Sequence, residues 1–269
     1  MVHVVGSRQA RPNLPSTGCP FCPGGREAPD SYDVRWFSNR WPALGDARCE
    51  VLLYTPDHDA TFSSLGVDGA IRIIDLWAER FLELGSRDDV AYVLIFENRG
   101  SEVGATIAHP HGQIYAYDHI PRRPQHLLDA GWQPDANPGD RLVVDDNDWV
   151  AYVPYASTYP VALTIAPRRR VPDVAALDAS ARRGLAAMLV DVLGRLDRLF
   201  DQPLPYMMWL DQQPTDRVDW PTAWFHLEIV SPWRAAGVSR FIAAAEVAGD
   251  EYFNPVIPET LARQLRLGD

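Results

Sequence analysis

One pattern of secondary structure occurs twice along this chain of 269 residues. In the first half, a strand-like run over residues 51–55 precedes an amphipathic stretch over residues 71–84, whose apolar residues recur at nearly helical spacing. A β-rich run over residues 90–97 and a final strand that begins at His109 complete the unit. The order strand, helix, strand, strand predicts an α+β unit.

The second half repeats this order. A strand-like run over residues 162–166 precedes a helix predicted from about residue 179 to 200, whose leucines and valines lie on one face. Two further strands are predicted over residues 206–210 and 225–230. The repeated order predicts a duplicated α+β fold.

The boundary between the two repeats falls in a polar, proline-bearing segment over residues 121–138. Such a composition is typical of a connection between structural units. We therefore expect an N-terminal unit over residues 1–130 and a C-terminal unit over residues 131–269.

The composition excludes several classes of function. A net charge of −11 lacks the basic field that drives nucleic-acid binding, so no nucleic acid is expected as a partner. All 25 basic residues are arginines, which excludes lysine Schiff bases and lysine-dependent phosphate loops. The sequence contains neither an apolar run long enough to span a membrane nor a secretion signal, which predicts a cytoplasmic protein with no membrane partner.

The three cysteines are too few for a disulfide framework, but Cys19 and Cys22 are separated by only two residues. In a reducing compartment this spacing suggests a metal site before a redox pair. His58 follows the first strand of the first unit and His109 begins its last strand, so the two histidines complete a tetrahedral Cys₂His₂ site if these strands are neighbours. The alternative is that both cysteines are small buried apolar residues, as we expect for Cys49.

Residues 109–113, His-Pro-His-Gly-Gln, form the most informative motif. Residues two apart on a strand project to the same face, so the imidazoles of His109 and His111 are expected side by side. Pro110 cannot donate a hydrogen bond to a neighbouring strand and Gly112 leaves the backbone accessible, which fits a strand end that a ligand approaches. For an isolated pair of this kind, two histidines that cap a sheet are the alternative.

Four segments, taken together and in this order, resemble the galactose-1-phosphate uridylyltransferase family, a nucleotidyltransferase branch of the histidine-triad superfamily. They are Cys-Pro-Phe-Cys at 19–22, Thr-Pro-Asp-His at 55–58, Phe-Glu-Asn-Arg-Gly at 96–100 and His-Pro-His-Gly-Gln-Ile at 109–114. The resemblance extends from about residue 8 to residue 266. It implies a duplicated histidine-triad fold with a mostly antiparallel half-barrel sheet flanked by helices, one structural zinc ion at the Cys₂His₂ site, and a homodimer.

The resemblance also implies the roles of individual residues. His111 is the expected nucleophile, which takes a uridylyl group from a UDP-sugar and passes it to a hexose 1-phosphate in a ping-pong exchange. A neutral imidazole is a competent nucleophile near pH 7. Gln113 is the expected donor to the transferring phosphoryl group. The other expected substrate contacts are Arg8, Arg11, Phe37, Asn39, Asn98, Gly104, Thr106, Arg240 and Glu246.

Two positions depart from the family pattern. Arg40 stands where the family usually has aspartate, which bears on nucleoside recognition. Around His226 at most two ligands of the family's second metal site remain, so no second metal is expected and His226 is expected to be structural. The alternative functions are a phosphorylase or hydrolase of a nucleotide sugar or dinucleotide polyphosphate, and a non-catalytic nucleotide sensor that keeps the zinc and the fold.

Overall fold

A computed structural model describes residues 1–10, 18–45, 47–146 and 148–267. The helices in these ranges are α1 (Gly66–Gly85), α2 (Arg122–Asp129), α3 (Ala179–Arg198), α4 (Ala244–Gly249) and α5 (Pro258–Leu267). The strands are β1 (Arg35–Ser38), β2 (Cys49–Leu53), β3 (Tyr92–Arg99), β4 (His111–Tyr117), β5 (Leu142–Asp145), β6 (Trp149–Tyr152), β7 (Val161–Pro167), β8 (Tyr206–Asp211), β9 (His226–Ser231), β10 (Trp233–Ala235) and β11 (Val238–Ser239).

The strands β1 to β9 form one sheet in the order β1-β2-β4-β3-β8-β9-β7-β6-β5, and neighbouring strands are antiparallel throughout. The order β1-β2-β4-β3 of the first half recurs as β6-β7-β9-β8 in the second half. In each half a long helix, α1 or α3, connects the second strand of the repeat to the third. The predicted duplicated α+β fold is therefore confirmed, and its two repeats meet edge to edge at β3 and β8.

The helices α1 and α3 pack against each other and against one face of the sheet. The α3 helix begins after Asp178, whose side chain accepts a hydrogen bond from the amide of Ala181 at 2.8 Å, a contact that typically contributes about 1 kcal/mol. Apolar side chains on the inner faces of the two helices join alternate side chains of the strands in one continuous core, which includes Leu52, Ile74, Trp77, Ile95, Ile114, Leu189, Val192 and Leu227. The helical periodicity in the sequence reflects this one-sided burial.

The opposite face of the sheet carries the side chains of His111 and Gln113, because successive side chains on a strand alternate between faces. In the strand register Leu53 pairs with His111, while Val51 lies between Phe37 and Gln113. This face holds a second, small apolar cluster, which comprises Phe21, Ala28, Val51 and Leu53. The segment that begins at Gly18 is therefore packed over β1, β2 and β4.

Two details differ from the sequence expectations. The strand expected to begin at His109 begins at His111, because Pro110 has no amide hydrogen and the His109 ring instead bonds to the carbonyl of Thr55. The sequence analysis did not predict five strands, since each has four residues or fewer and so shows little periodicity; they are β1, β5, β6, β10 and β11. Within the described ranges, no helix has both the length and the apolar character needed to cross a membrane.

Candidate active site

The side chains of Cys19, Cys22, His58 and His109 converge where β2 ends and β4 begins. One donor atom from each lies within 4.8 Å of all the others. The Cys22 Sγ atom is 3.6 Å from Nδ1 of His58 and 3.6 Å from Nδ1 of His109. A tetrahedral zinc ion with Zn–S of about 2.3 Å and Zn–N of about 2.0 Å separates its ligand atoms by roughly 3.6 Å. The donor types and the spacing therefore fit such an ion.

The orientation of the His109 ring also suits a metal ligand. Its Nε2 atom lies 2.7 Å from the carbonyl oxygen of Thr55, to which it donates a hydrogen bond. This contact leaves the lone pair on Nδ1, the atom that faces Cys22. Burial lowers the pKa of His109, which favours the neutral imidazole that a metal binds.

The loop that carries the two cysteines is tightly closed. The amide of Gly25 donates to the carbonyl of Cys22 at 2.8 Å, and the amide of Glu27 donates to the carbonyl of Pro20 at 3.0 Å. A Cβ atom on Gly25 would lie 2.6 to 2.7 Å from three carbonyl oxygens of this loop, which is closer than side chains can approach. Gly25 is thus the residue that allows the loop to fold back on itself.

His111 lies directly beside this cluster at the start of β4. Its Nδ1 atom donates a hydrogen bond to the carbonyl oxygen of His109 at 2.7 Å. The ring is further held by the edge of Phe21, with 5.1 Å between the ring centroids. The bond to the carbonyl places the imidazole lone pair on Nε2 and fixes the direction in which it points.

A cavity of about 480 Å³ opens next to His111. The predicted catalytic and substrate-contact residues His111, Gln113, Phe37, Asn39 and Thr106 line it, as does the predicted metal ligand Cys19. The Asn39 side-chain amide donates to Oε1 of Gln113 at 3.5 Å. The volume is within the range of pockets that hold small organic ligands.

A smaller cavity of about 40 Å³ lies on another side of His111 and is lined by Asn98. Gly104 lines neither cavity, but its φ of +84° turns the chain at the end of a short 3₁₀ helix, Ser101–Val103, before Thr106. Asn98, near the end of β3, and Thr106, in the connection from β3 to β4, thus line the two cavities that adjoin His111.

Other predicted contacts lie away from His111. Arg8 donates to the hydroxyl of Tyr115 at 3.4 Å. Arg240 and Glu246 pair with each other, and Glu246 also accepts the amides of Ala243 and Phe253 at 2.8 and 2.9 Å. None of the three predicted contacts lines the cavity beside His111. Arg11, also predicted, lies outside the described residues.

Comparison with known proteins identifies the family. Family models described as galactose-1-phosphate uridyl transferase, N-terminal domain, and galactose-1-phosphate uridyl transferase, C-terminal domain, match residues 39–121 and 109–267. A galactose-1-phosphate uridylyltransferase from Thermotoga maritima is 34% identical over 98% of this chain and 94% of its own length. The chain belongs to the galactose-1-phosphate uridylyltransferase family. The resemblance noted in the sequence is confirmed.

Solved structures support the fold of this family member. A structure described as a uridylyltransferase has a TM-score of 0.88 and 28% identity, and the match covers 99% of this chain and 94% of that one. An ADP-glucose phosphorylase from Arabidopsis thaliana has a TM-score of 0.81 at 22% identity, with 97% and 93% of the two chains covered. The second likeness shows that a phosphorylase shares the fold, so the fold alone does not determine whether a sugar phosphate or inorganic phosphate accepts the nucleotidyl group.

The sequence analysis did not predict an ion pair in the wall of the cavity beside His111. Arg40 lines the cavity and its guanidinium lies 2.7 Å from the carboxylate of Glu27, which lines the cavity as well. Two sequence features could have pointed to this pair. Arg40 departs from the family pattern, and Glu27 lies only five residues after Cys22.

Sequence reasoning also missed the surroundings of His226. The structure adds Asp211 as a third potential ligand, because donor atoms of Asp211, His226 and Glu228 lie within 4.8 Å of one another. However, the Arg123 guanidinium donates to Asp211 at 3.0 Å and to Glu228 at 2.5 Å. These donor types could bind a metal, but a fixed positive charge already bridges the two carboxylates. The expectation that no second metal is bound stays a prediction.

Proposed function

We propose that this protein transfers a uridylyl group between a UDP-sugar and a hexose 1-phosphate through a covalent intermediate on His111. The observation that carries the proposal is the orientation of the His111 ring, whose Nδ1 is held 2.7 Å from the carbonyl of His109, beside a cavity of nucleotide size. Membership of the uridylyltransferase family supports the choice of substrates.

In the first half-reaction, the lone pair on Nε2 of His111 attacks the α-phosphorus of the UDP-sugar. The bond from phosphorus to the bridging oxygen breaks, and its electron pair leaves with the sugar 1-phosphate. In the second half-reaction, a phosphate oxygen of the incoming hexose 1-phosphate attacks, and the electron pair of the P–N bond returns to His111. One bond forms and one breaks in each step, so the exchange consumes neither water nor a redox cofactor.

The groups around His111 suit a charged phosphoryl intermediate. The Nδ1–H bond to the carbonyl of His109 stabilises the positive charge that the ring acquires when Nε2 is substituted. Because Asn39 engages the oxygen of the Gln113 amide, the NH₂ group of Gln113 is the part that donates to a phosphoryl oxygen. Asn98 and Thr106 provide the other polar groups near His111.

Cys19, Cys22, His58 and His109 hold one structural zinc ion in this proposal. When bound, the ion supplies a rigid link between the cysteine loop and the ends of β2 and β4. This link would fix the backbone of His109, and the carbonyl of His109 orients the ring of His111. The zinc site therefore acts on the reaction through the position of the nucleophile.

We further propose that the protein acts as a homodimer. Arg8, Arg240 and Glu246 do not line the cavity beside His111 in their own chain, which is what we expect if they contact the substrate bound to a second copy. The segment around α4 also exposes large apolar side chains, with Phe241 84% and Phe253 70% exposed. Such a patch is typical of a surface that another protein covers.

Two further expectations belong to this proposal. The protein acts in the cytoplasm, and its chain divides into units of residues 1–130 and 131–269. The seam between β3 and β8 supports this division, since each unit contributes strands of one repeat to one side of the seam.

The test is an assay of the purified protein with UDP-glucose and galactose 1-phosphate. We expect UDP-galactose and glucose 1-phosphate in equal amounts, and parallel lines in double-reciprocal plots, as a ping-pong mechanism requires. We also expect labelled glucose 1-phosphate to exchange into UDP-glucose when no galactose 1-phosphate is present. Turnover that requires inorganic phosphate or water as acceptor would assign a phosphorylase or hydrolase instead.

A further inference from the structure

We propose that Glu27 binds the ribose hydroxyls of the nucleotide in the cavity beside His111, and that Arg40 positions the Glu27 carboxylate for this contact. The inference rests on the function proposed above, because it assumes that the cavity holds a nucleotide. The Glu27–Arg40 ion pair takes no part in the chemistry at His111, and in this proposal it determines the preference for ribose over 2′-deoxyribose.

The chemistry of the cavity wall singles out Glu27. Among the described residues that line the cavity, Glu27 is the one carboxylate, and it stands beside aromatic rings, two amide side chains and arginines. Its side chain is 19% exposed, so it is largely desolvated within the wall. A buried carboxylate that faces a binding cavity is costly unless it is paired. Arg40 provides that pairing at 2.7 Å.

The ion pair leaves Glu27 able to accept further hydrogen bonds. The contact to Arg40 is made by Oε1 of the carboxylate, whereas an ionised carboxylate accepts through both oxygens. Arginine can only donate, so the hydroxyl groups of a ligand, acting as donors, are matched by Glu27 and not by Arg40. A phosphate group would be repelled by Glu27, which places the phosphates at the His111 end.

A nucleotide offers the complementary groups. Its base is an aromatic plane, and the rings of Phe21 and Phe37, with centroids 5.7 Å apart, supply apolar surface for it. Its α-phosphate must reach His111 and Gln113. Its ribose carries two neighbouring hydroxyls, and in nucleotide-binding sites an acidic side chain is a common acceptor for the 2′-hydroxyl.

The fold holds both members of the pair in place before a ligand binds. Glu27 lies in the closed cysteine loop, where its amide donates to the carbonyl of Pro20 at 3.0 Å and the next residue, Ala28, is completely buried. Arg40 directly follows Asn39, whose amide donates to the carbonyl of Cys49 at 2.8 Å. The two charges therefore come from two separate elements of the cavity wall, so little ordering is required on binding.

The experiment compares UDP-glucose with 2′-deoxy-UDP-glucose as uridylyl donors. For the unmodified protein, we expect kcat/KM to be roughly ten- to a hundredfold higher for the ribose form, the usual effect of one hydrogen bond to a charged group. In Glu27→Ala this ratio should fall to within about twofold of unity, because the acceptor is lost. Arg40→Ala should give an intermediate ratio, since the carboxylate remains but is no longer held.

The control is Asp68→Ala, which removes an exposed acid of α1 far along the chain and should keep the ratio of the unmodified protein. The Kd values of UMP and 2′-deoxy-UMP, measured by calorimetry on the same four proteins, repeat the comparison without turnover. A preference for UMP that disappears in Glu27→Ala supports the proposal even if the exchange reaction fails. Equal affinities in the unmodified protein, or a ratio that Glu27→Ala leaves unchanged, would overturn it.

Discussion

The two repeats place a histidine at the same point of the fold and use it differently. His111 begins β4 and His226 begins β9, and β4 and β9 are equivalent strands of the two repeats. Each ring donates its Nδ1 hydrogen to the carbonyl two residues earlier, at 2.7 Å for His111 and 2.9 Å for His226. The backbone of the repeat thus fixes the same orientation of the ring in both halves.

The side chains around the two rings differ. His111 faces a cavity of about 480 Å³, whereas Trp132 stacks on His226 with 3.6 Å between the ring centroids. Two residues further along the strand, the amide of Gln113 corresponds to the carboxylate of Glu228, which Arg123 binds. The comparison shows that the duplicated backbone creates two possible sites, and that a few side chains decide which one stays open to a ligand.

The layer beneath the two strands differs as well. In the first repeat Gly112 lies between His111 and Gln113. The hydroxyl of Tyr54 occupies the space that a Cβ atom on Gly112 would need. Glu97 pairs with Gly112 in the strand register, and its carboxylate accepts a hydrogen bond from the hydroxyl of Tyr206 at 2.6 Å. In the second repeat the equivalent pair is Leu210 and Leu227. The polar groups of Tyr54, Glu97 and Tyr206 thus lie beneath Gly112, where the second repeat has two leucines.

The largest effect is expected when each histidine is removed in turn. His111→Ala should lower the rate of uridylyl exchange by roughly a thousandfold or more, because no group remains to form the covalent bond. His226→Ala should keep the rate within about threefold and should instead lower the melting temperature, since a buried, stacked ring is lost. Comparable losses of activity in the two variants would show that the two repeats are not functionally distinct.

The next largest effect concerns metal content. In Cys19→Ser/Cys22→Ser we expect zinc to fall from one ion per chain to none, and the melting temperature to fall by roughly 10 °C, because structural zinc stabilises the folded state directly. Cys49→Ser is the matched control, since Cys49 is buried and does not belong to the metal-ligating group. Two ions per chain in the unmodified protein would show that Asp211, His226 and Glu228 also bind metal.

A smaller effect is expected from the polar layer under His111. Burial raises the pKa of Glu97 to about 7, so the folded protein keeps a proton that the unfolded chain loses near pH 4. The contribution of Glu97 to the free energy of unfolding is therefore largest below about pH 4, falls as the pH rises to about 7, and is level above that value. Glu97→Gln, which is neutral at every pH, should remove this decline of about 3 kcal/mol.

Urea denaturation at pH 5 and pH 8 measures this decline. The control is Glu102→Gln, an exposed glutamate close by in the chain, which should keep the decline of the unmodified protein. If Glu97→Gln loses as much stability between the two pH values as the unmodified protein, another group is responsible for the decline.

Much of the fold could be predicted from the sequence because the relevant signals are local. The long helices α1 and α3 bury one face each, and this burial leaves a clear periodicity in the sequence. The cysteine pair and the histidines of residues 109–111 were also recognisable, since the types of metal ligand and their spacing are set by the chemistry of the ion.

Contacts between distant segments could not be predicted in this way. Arg123 lies 88 residues before Asp211 and 105 residues before Glu228, and no local pattern relates the three. The pairing of Glu27 with Arg40 depends on how the cysteine loop packs over β1. Arg240 and Glu246 are expected to contact the substrate but do not line the cavity beside His111, and their place relative to that cavity is set by packing between distant segments.

The most direct test of His111 as the nucleophile is to detect the covalent intermediate by mass spectrometry of the intact protein. The protein is mixed with UDP-glucose and quenched at alkaline pH, because a phosphoramidate is labile in acid. We expect one added uridylyl group per chain in the unmodified protein and in His226→Ala, and none in His111→Ala. An adduct that persists in His111→Ala, or that is lost in His226→Ala, would contradict the assignment of the nucleophile to the first repeat.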